Sequence, residues 1–183
     1  MLFSAAFIKE IINLIENDSH LKNTDFFCTS RDIFQARLDS YIYKTKAYLE
    51  CAVIGEIGNN TFDHNWIFSE GKMRGAYFYP DYKQQYVILA DFGCGIRKSL
   101  SAVKKTNSNL EALKIAFTEH ISGRAPEQRG NGLKFVCDTM KDKKYTMYFQ
   151  SGDAYCIIDN GNMKFKNCEI TFEGCLSVME FNK

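Results

Sequence analysis

The chain has 183 residues, of which 45% are hydrophobic, 14% aromatic and 25% charged. That is the usage of a globular domain with a large, partly aromatic core, and two prolines beside twelve glycines exclude a long disordered or collagen-like tract. Twenty-three Lys and Arg against 22 Asp and Glu leave a formal charge of +1, which argues against a molecule built around nucleic-acid phosphates, though not against a local basic patch.

The seven cysteines are odd in number, show no C-x-x-C spacing and have no histidine at a zinc-like interval. They read as free thiols in a reducing compartment, the alternative being a zinc or disulfide site assembled from distant positions. The first eight residues are mostly apolar but lack a leading positive region, so they do not read as a signal peptide. No run approaches the ~18 apolar residues of a membrane span. The expected location is the cytoplasm.

In chain order, Phe7, Ile8, Ile11, Ile12 and Ile15 follow the i, i+3, i+4 spacing of an amphipathic helix over residues 4–16. Residues 26–29 form a short strand candidate. Ser30, with Asp32 in the following turn, is an N-cap candidate for a second helix. A third helix is expected over 49–66, with no strong breaker before it. Residues 73–79 and 86–90 are aromatic and β-branched with Pro80–Asp81 between them, the pattern of a hairpin. Helix-forming sequence follows over 96–120, then a breaker-rich loop over 122–132 and a short helix over 133–140. Strands are expected at 145–150, 154–159 and 176–181, with a turn at Asp159-Asn160-Gly161. The order predicts an α/β fold: a two-layer sandwich whose mixed, mostly antiparallel sheet is covered by helices on one face. Residues 1–45 read as a helical extension packed on a domain formed by 46–183.

Three constellations carry chemistry. Glu56, Asn60 and His64 recur every four residues, so they project from one face of the third helix. The amide oxygen suits Mg²⁺, and the carboxylate can deprotonate a nucleophile one turn away. An ordinary solvated helix face accounts for the same spacing. Asp91-Phe92-Gly93-Cys94-Gly95 follows an apolar strand directly. A carboxylate there can accept from an exocyclic amine such as that of adenine, and the glycines permit close backbone approach. A tight turn is the simpler account. Arg129-Gly130-Asn131-Gly132 opens a helix whose backbone N–H groups can receive an anion, though neither a P-loop nor a G-x-G-x-x-G fingerprint is present.

Taken together, Glu56-x-x-x-Asn60, the hairpin, Asp91-x-Gly93-x-Gly95, and Gly130-x-Gly132 before a short helix resemble the histidine kinase-like ATPase superfamily. This is the Bergerat-fold or GHKL group of type II topoisomerase ATPase subunits, the ninety-kilodalton heat-shock chaperone, histidine kinases and mismatch-repair ATPases. The resemblance covers roughly residues 49–136. It implies ATP held between a helical layer and a loop called the ATP lid. Asn60 would be the magnesium ligand, Asp91 the adenine contact, and the glycines backbone approaches to the nucleotide. Glu56 would be the general base.

Within that superfamily, Glu56-Ile-Gly-Asn-Asn60-Thr-Phe-Asp-His64 is most similar to the small bacterial anti-sigma-factor serine kinases. The reaction implied is phosphoryl transfer from Mg-ATP to a Ser or Thr of a regulatory protein partner. The alternative is a non-catalytic module in which ATP gates a protein interaction. His64 is expected either at the phosphate end of the site or as a helix cap. Arg124 and Arg129 are lid residues that can contact phosphate or simply be solvated. His20 reads as a loop histidine and His120 as a surface one. The family's last strand often begins Gly-Thr, where this chain has Gly174-Cys175, and a thiol is a weak hydrogen-bonding group. The added N-terminal helix is expected to serve a homodimer or partner docking. Neither nucleic acid nor membrane is expected as a partner.

Overall fold

The computed structural model describes residues 3–17, 25–64, 75–119 and 132–181. The apolar stripe of the first segment forms α1 (Ala5–Asn17), whose entry is capped by the Ser4 hydroxyl accepting from Phe7 N–H at 3.2 Å. β1 (Phe27–Cys28) follows, then α2 (Arg31–Thr45), capped by Ser30, whose hydroxyl accepts from Ile33 N–H. α2 ends at Lys46, in left-handed conformation at φ 58. That residue separates it from α3 (Tyr48–His64), so the two helices are not continuous.

The hairpin is β2 (Ala76–Asp81) and β3 (Tyr86–Asp91). Pro80–Asp81 lies within β2 rather than at the turn. The Asp81 carboxylate accepts from the N–H groups of Lys83 and Gln84, both at 2.8 Å, and so folds the turn one residue later. The expected helical region divides into α4 (Gly95–Leu100) and α5 (Asn109–Thr118), because Ser108 caps a new helix. After α6 (Gly132–Asp142) come β4 (Thr146–Asp159) and β5 (Asn162–Glu180). The first two expected closing strands are one strand with a register shift near Gly152, and the last is only the end of a much longer one. Asn160 and Gly161, both at positive φ, make the tight turn between them.

The sheet order is β1-β2-β3-β5-β4. Every described pair is antiparallel, where a mixed sheet was expected, because β5 inserts between β3 and β4, which run the same way. Helices α2, α3, α5 and α6 supply one core with Phe78, Leu89, Met147 and Phe149 from the sheet. This is the expected α/β sandwich. α1 is the exception to helices on one face: Ile8, Ile11, Ile12 and Ile15 pack on the other side, against Ile88, Leu176 and Val178. No helix among the described residues is long and apolar enough to cross a membrane.

Candidate functional site

α3 turns its apolar side, Val53, Ile54 and Ile57, into the core. Gly58 lets it approach α2, since a Cβ there would overlap the Phe34 ring. This docking fixes the rotation of the helix. Glu56 is left exposed and Asn60 half-buried, one turn further on.

The Glu56 carboxylate occupies the place that a side chain at Gly132 would need. Gly132 is the first residue of α6, so this carboxylate meets the positive end of a helix. The first and third constellations, far apart in sequence, therefore touch.

Asp91 closes β3 and is 4% exposed. Its Oδ1 accepts from Gly93 N–H at 2.8 Å, and its Oδ2 accepts from the Thr61 hydroxyl at 3.2 Å. Thr61 directly follows Asn60 on α3 and is 6% exposed. The first and second constellations are thus joined by a hydrogen bond. These two bonds, one to each carboxylate oxygen, help to orient Asp91.

Below them, Asp91, Cys175 and Ser151 lie side by side across β3, β5 and β4. The Ser151 hydroxyl accepts from Ile96 N–H and donates to Gly174 C=O, both at 3.0 Å. This ties the start of α4 to β5. Gly95, at φ +71, would bring a Cβ to 2.8 Å from that hydroxyl, and Gly174, at φ +105, would drive one into the Asp91 backbone. Both glycines serve close approach as well as positive φ. Desolvation pushes the Cys175 thiol well above its ordinary pKa, and the nearby Asp91 charge adds to this. The sulfur therefore stays a protonated, weak hydrogen-bonding group.

Of the expected site residues, Glu56, Asn60, Asp91, Gly93, Gly95 and Gly132 belong to one connected region of α3, β3, α4 and α6. His64 closes α3, and its side chain is outside the described residues. Arg124, Arg129, Gly130 and Asn131, as well as His20 and His120, also lie outside them. Thr61 and Ser151 are additions that the sequence reading missed. Thr61 carried a signal, a polar residue four after Ile57 on the buried stripe; Ser151, inside a strand, carried none.

Among the described residues no cluster of three or more His, Cys, Asp and Glu could hold a metal ion. A metal here would need a neutral ligand such as Asn60 together with oxygens of the bound substrate. Comparison with models of known protein families and with curated proteins finds no match to this chain.

Proposed function

We propose that the chain is a Mg-ATP-binding domain of the histidine kinase-like type, which transfers a phosphoryl group to a Ser or Thr of a regulatory protein partner in the cytoplasm. The observation that carries this reading is the convergence on α3. Glu56 sits against Gly132, and Thr61 bonds Asp91. Three sequence patterns that are each unremarkable alone meet around α3.

The residues present suit the two ligands. Asp91 is a buried, oriented acceptor, able to take a hydrogen bond from the exocyclic amine of adenine. Gly132, having no side chain, lets the Glu56 carboxylate come against the amino end of α6, an end that also favours a bound anion. Asn60, between these two points on α3, would hold the magnesium. Magnesium, when bound, would neutralise charge on the transferred phosphoryl group.

Glu56 would accept the proton of the incoming hydroxyl as its oxygen bonds to the terminal phosphorus. The bond from that phosphorus to the bridging oxygen breaks, and ADP leaves. Asp91, Thr61 and Gly93 would hold the base end of the nucleotide while this happens. The other reading keeps the same binding site without transfer, ATP binding alone controlling a protein contact.

Labelled ATP incubated with pure protein and a lysate, wild type beside Glu56→Gln, separates these outcomes. Transfer of label to one protein, with turnover reduced by roughly 10²–10⁴ in Glu56→Gln and ATP affinity kept within a few-fold, supports the kinase. Binding without transfer or hydrolysis supports the gate. Absence of ATP binding removes both.

A further inference from the structure

We infer that a groove beside α4 is a docking site for an acidic segment of a protein partner. The groove measures about 490 Å³ and runs from Cys94 along Arg97, Lys98 and Ser101 to Lys105, Thr106, Asn107 and Asn109. Among the described residues its lining has three cations and no carboxylate, in a chain whose formal charge is only +1. The described ion pairs engage Arg31, Lys104 and Lys134, and none of them uses Arg97, Lys98 or Lys105.

Two carboxylates border the groove, each held by one of its residues. Glu111 accepts from the backbone N–H of Asn107 at 2.7 Å, and Asp153 accepts from the Asn109 side-chain amide at 2.8 Å. Glu119 pairs with Lys104 at 2.6 Å. The amino end of α5, at Asn109, adds the positive end of a helix to the same wall.

Thr106 adds a polar side chain to the groove. The Thr106 hydroxyl oxygen is buried and has no hydrogen-bond partner. Buried polar groups normally find one, and Thr106 lines the groove. The volume is larger than a single small anion would fill, since a water takes about 30 Å³ and ligand clefts about 300–1,000 Å³. The chemistry agrees. Three cations can take acidic side chains, while Thr106 and Asn107 can bond a peptide backbone.

The inference does not rest on nucleotide binding, although the groove begins at Cys94, between Gly93 and Gly95. The test uses the whole chain and a fluorescent hexaglutamate peptide, followed by anisotropy at low and at physiological salt. Saturable binding is expected, weakened by salt. The triple variant Arg97→Gln, Lys98→Gln, Lys105→Gln should weaken it about tenfold or more, as three exposed ion pairs each contribute a small factor. The control Lys9→Gln, Lys164→Gln, Lys166→Gln removes the same charge from other exposed positions and should leave binding unchanged. Thr106→Val should lower affinity severalfold without lowering Tm, because it deletes a hydroxyl that has no partner to lose.

Equal weakening in both triple variants would reduce the effect to net charge and overturn the proposal, as would an absence of saturable binding. Displacement of the peptide by inorganic phosphate at comparable concentration would make this a small-anion site. Loss of ATP affinity in the first triple variant would make it the phosphate end of the nucleotide site. Either result overturns the acidic-segment assignment. A wild type that binds the peptide and not ATP would remove the proposed function and leave this inference standing.

Discussion

The donors that hold Asp91 include a backbone N–H from its own loop and the Thr61 hydroxyl from α3. A carboxylate fixed in this way presents one edge to a ligand. In the proposed nucleotide site a base with an amine at that edge would be accepted, and one with a carbonyl oxygen there would leave two acceptors facing each other. Thr61→Val keeps the shape and removes the donor. Hydrogen bonds to charged groups contribute about 1.5–3 kcal/mol, so ATP affinity should fall by about tenfold or more, and the preference for ATP over GTP should narrow. Thr61→Ser should restore most of both. Calorimetry with the two nucleotides measures this, and affinities unchanged in Thr61→Val would remove Thr61 from the site.

The elements are joined by contacts that tolerate little change. Gly174 in β5 combines φ +105 with a backbone approach to Asp91 that leaves no room for a Cβ. Left-handed strain and overpacking each cost about 1–3 kcal/mol, so Gly174→Ala should destabilise by roughly 3 kcal/mol in a denaturant titration. A loss under about 0.5 kcal/mol would mean that the strand can shift freely. A second joint ties α3 to the residue just before β4. Tyr145 donates its phenolic hydrogen to Glu50 Oε1 at 2.5 Å, and burial, followed by the bond to Glu50, pushes the phenol up to about 12 from 10.0. The neutral phenol is thus favoured in the folded state. Its contribution is complete below pH about 10 and is lost as pH rises through about 12. Tyr145→Phe should lower stability by about 1 kcal/mol at pH 8, a Tm change of about 2–4 °C. It should also flatten the alkaline loss between pH 10 and 12. An alkaline loss as steep as in the wild type would contradict this.

At the scale of the molecule, α1 covers the face of the sheet that α2, α3, α5 and α6 leave open. That face also carries Tyr77, Tyr148 and Phe172, so an uncovered sheet would expose a large apolar surface. Ile12 is 2% exposed and Ile15 fully buried. Ile12→Ala should therefore cost about 2–5 kcal/mol, the usual range for a core Ile. It should reduce soluble yield while leaving nucleotide affinity in the folded fraction unchanged, because α1 and the candidate site lie on opposite faces of the sheet. A cost under about 0.5 kcal/mol would show α1 to be a loosely held appendage.

The sequence by itself determined what depends on neighbours along the chain. The period of the isoleucines gave α1, Ser30 and Ser108 start helices through their own hydroxyls, and Asn160-Gly161 imposes the last turn. The spacing that sets Glu56 and Asn60 on one helix face is equally local. Only the tertiary structure decided which face of the sheet α1 covers, since an apolar stripe demands burial without naming its partner. It also decided that Pro80–Asp81 belongs to β2, because Pro80 pairs with Val87 and Asp81 with Tyr86 across the hairpin. The candidate site divides in the same way. Asp91 and its glycines were legible as a local pattern, whereas the bond from Thr61 to Asp91 and the contact of Glu56 with Gly132 join residues widely separated in sequence. Such contacts follow from how α3 docks, a matter of packing that no short stretch of sequence encodes.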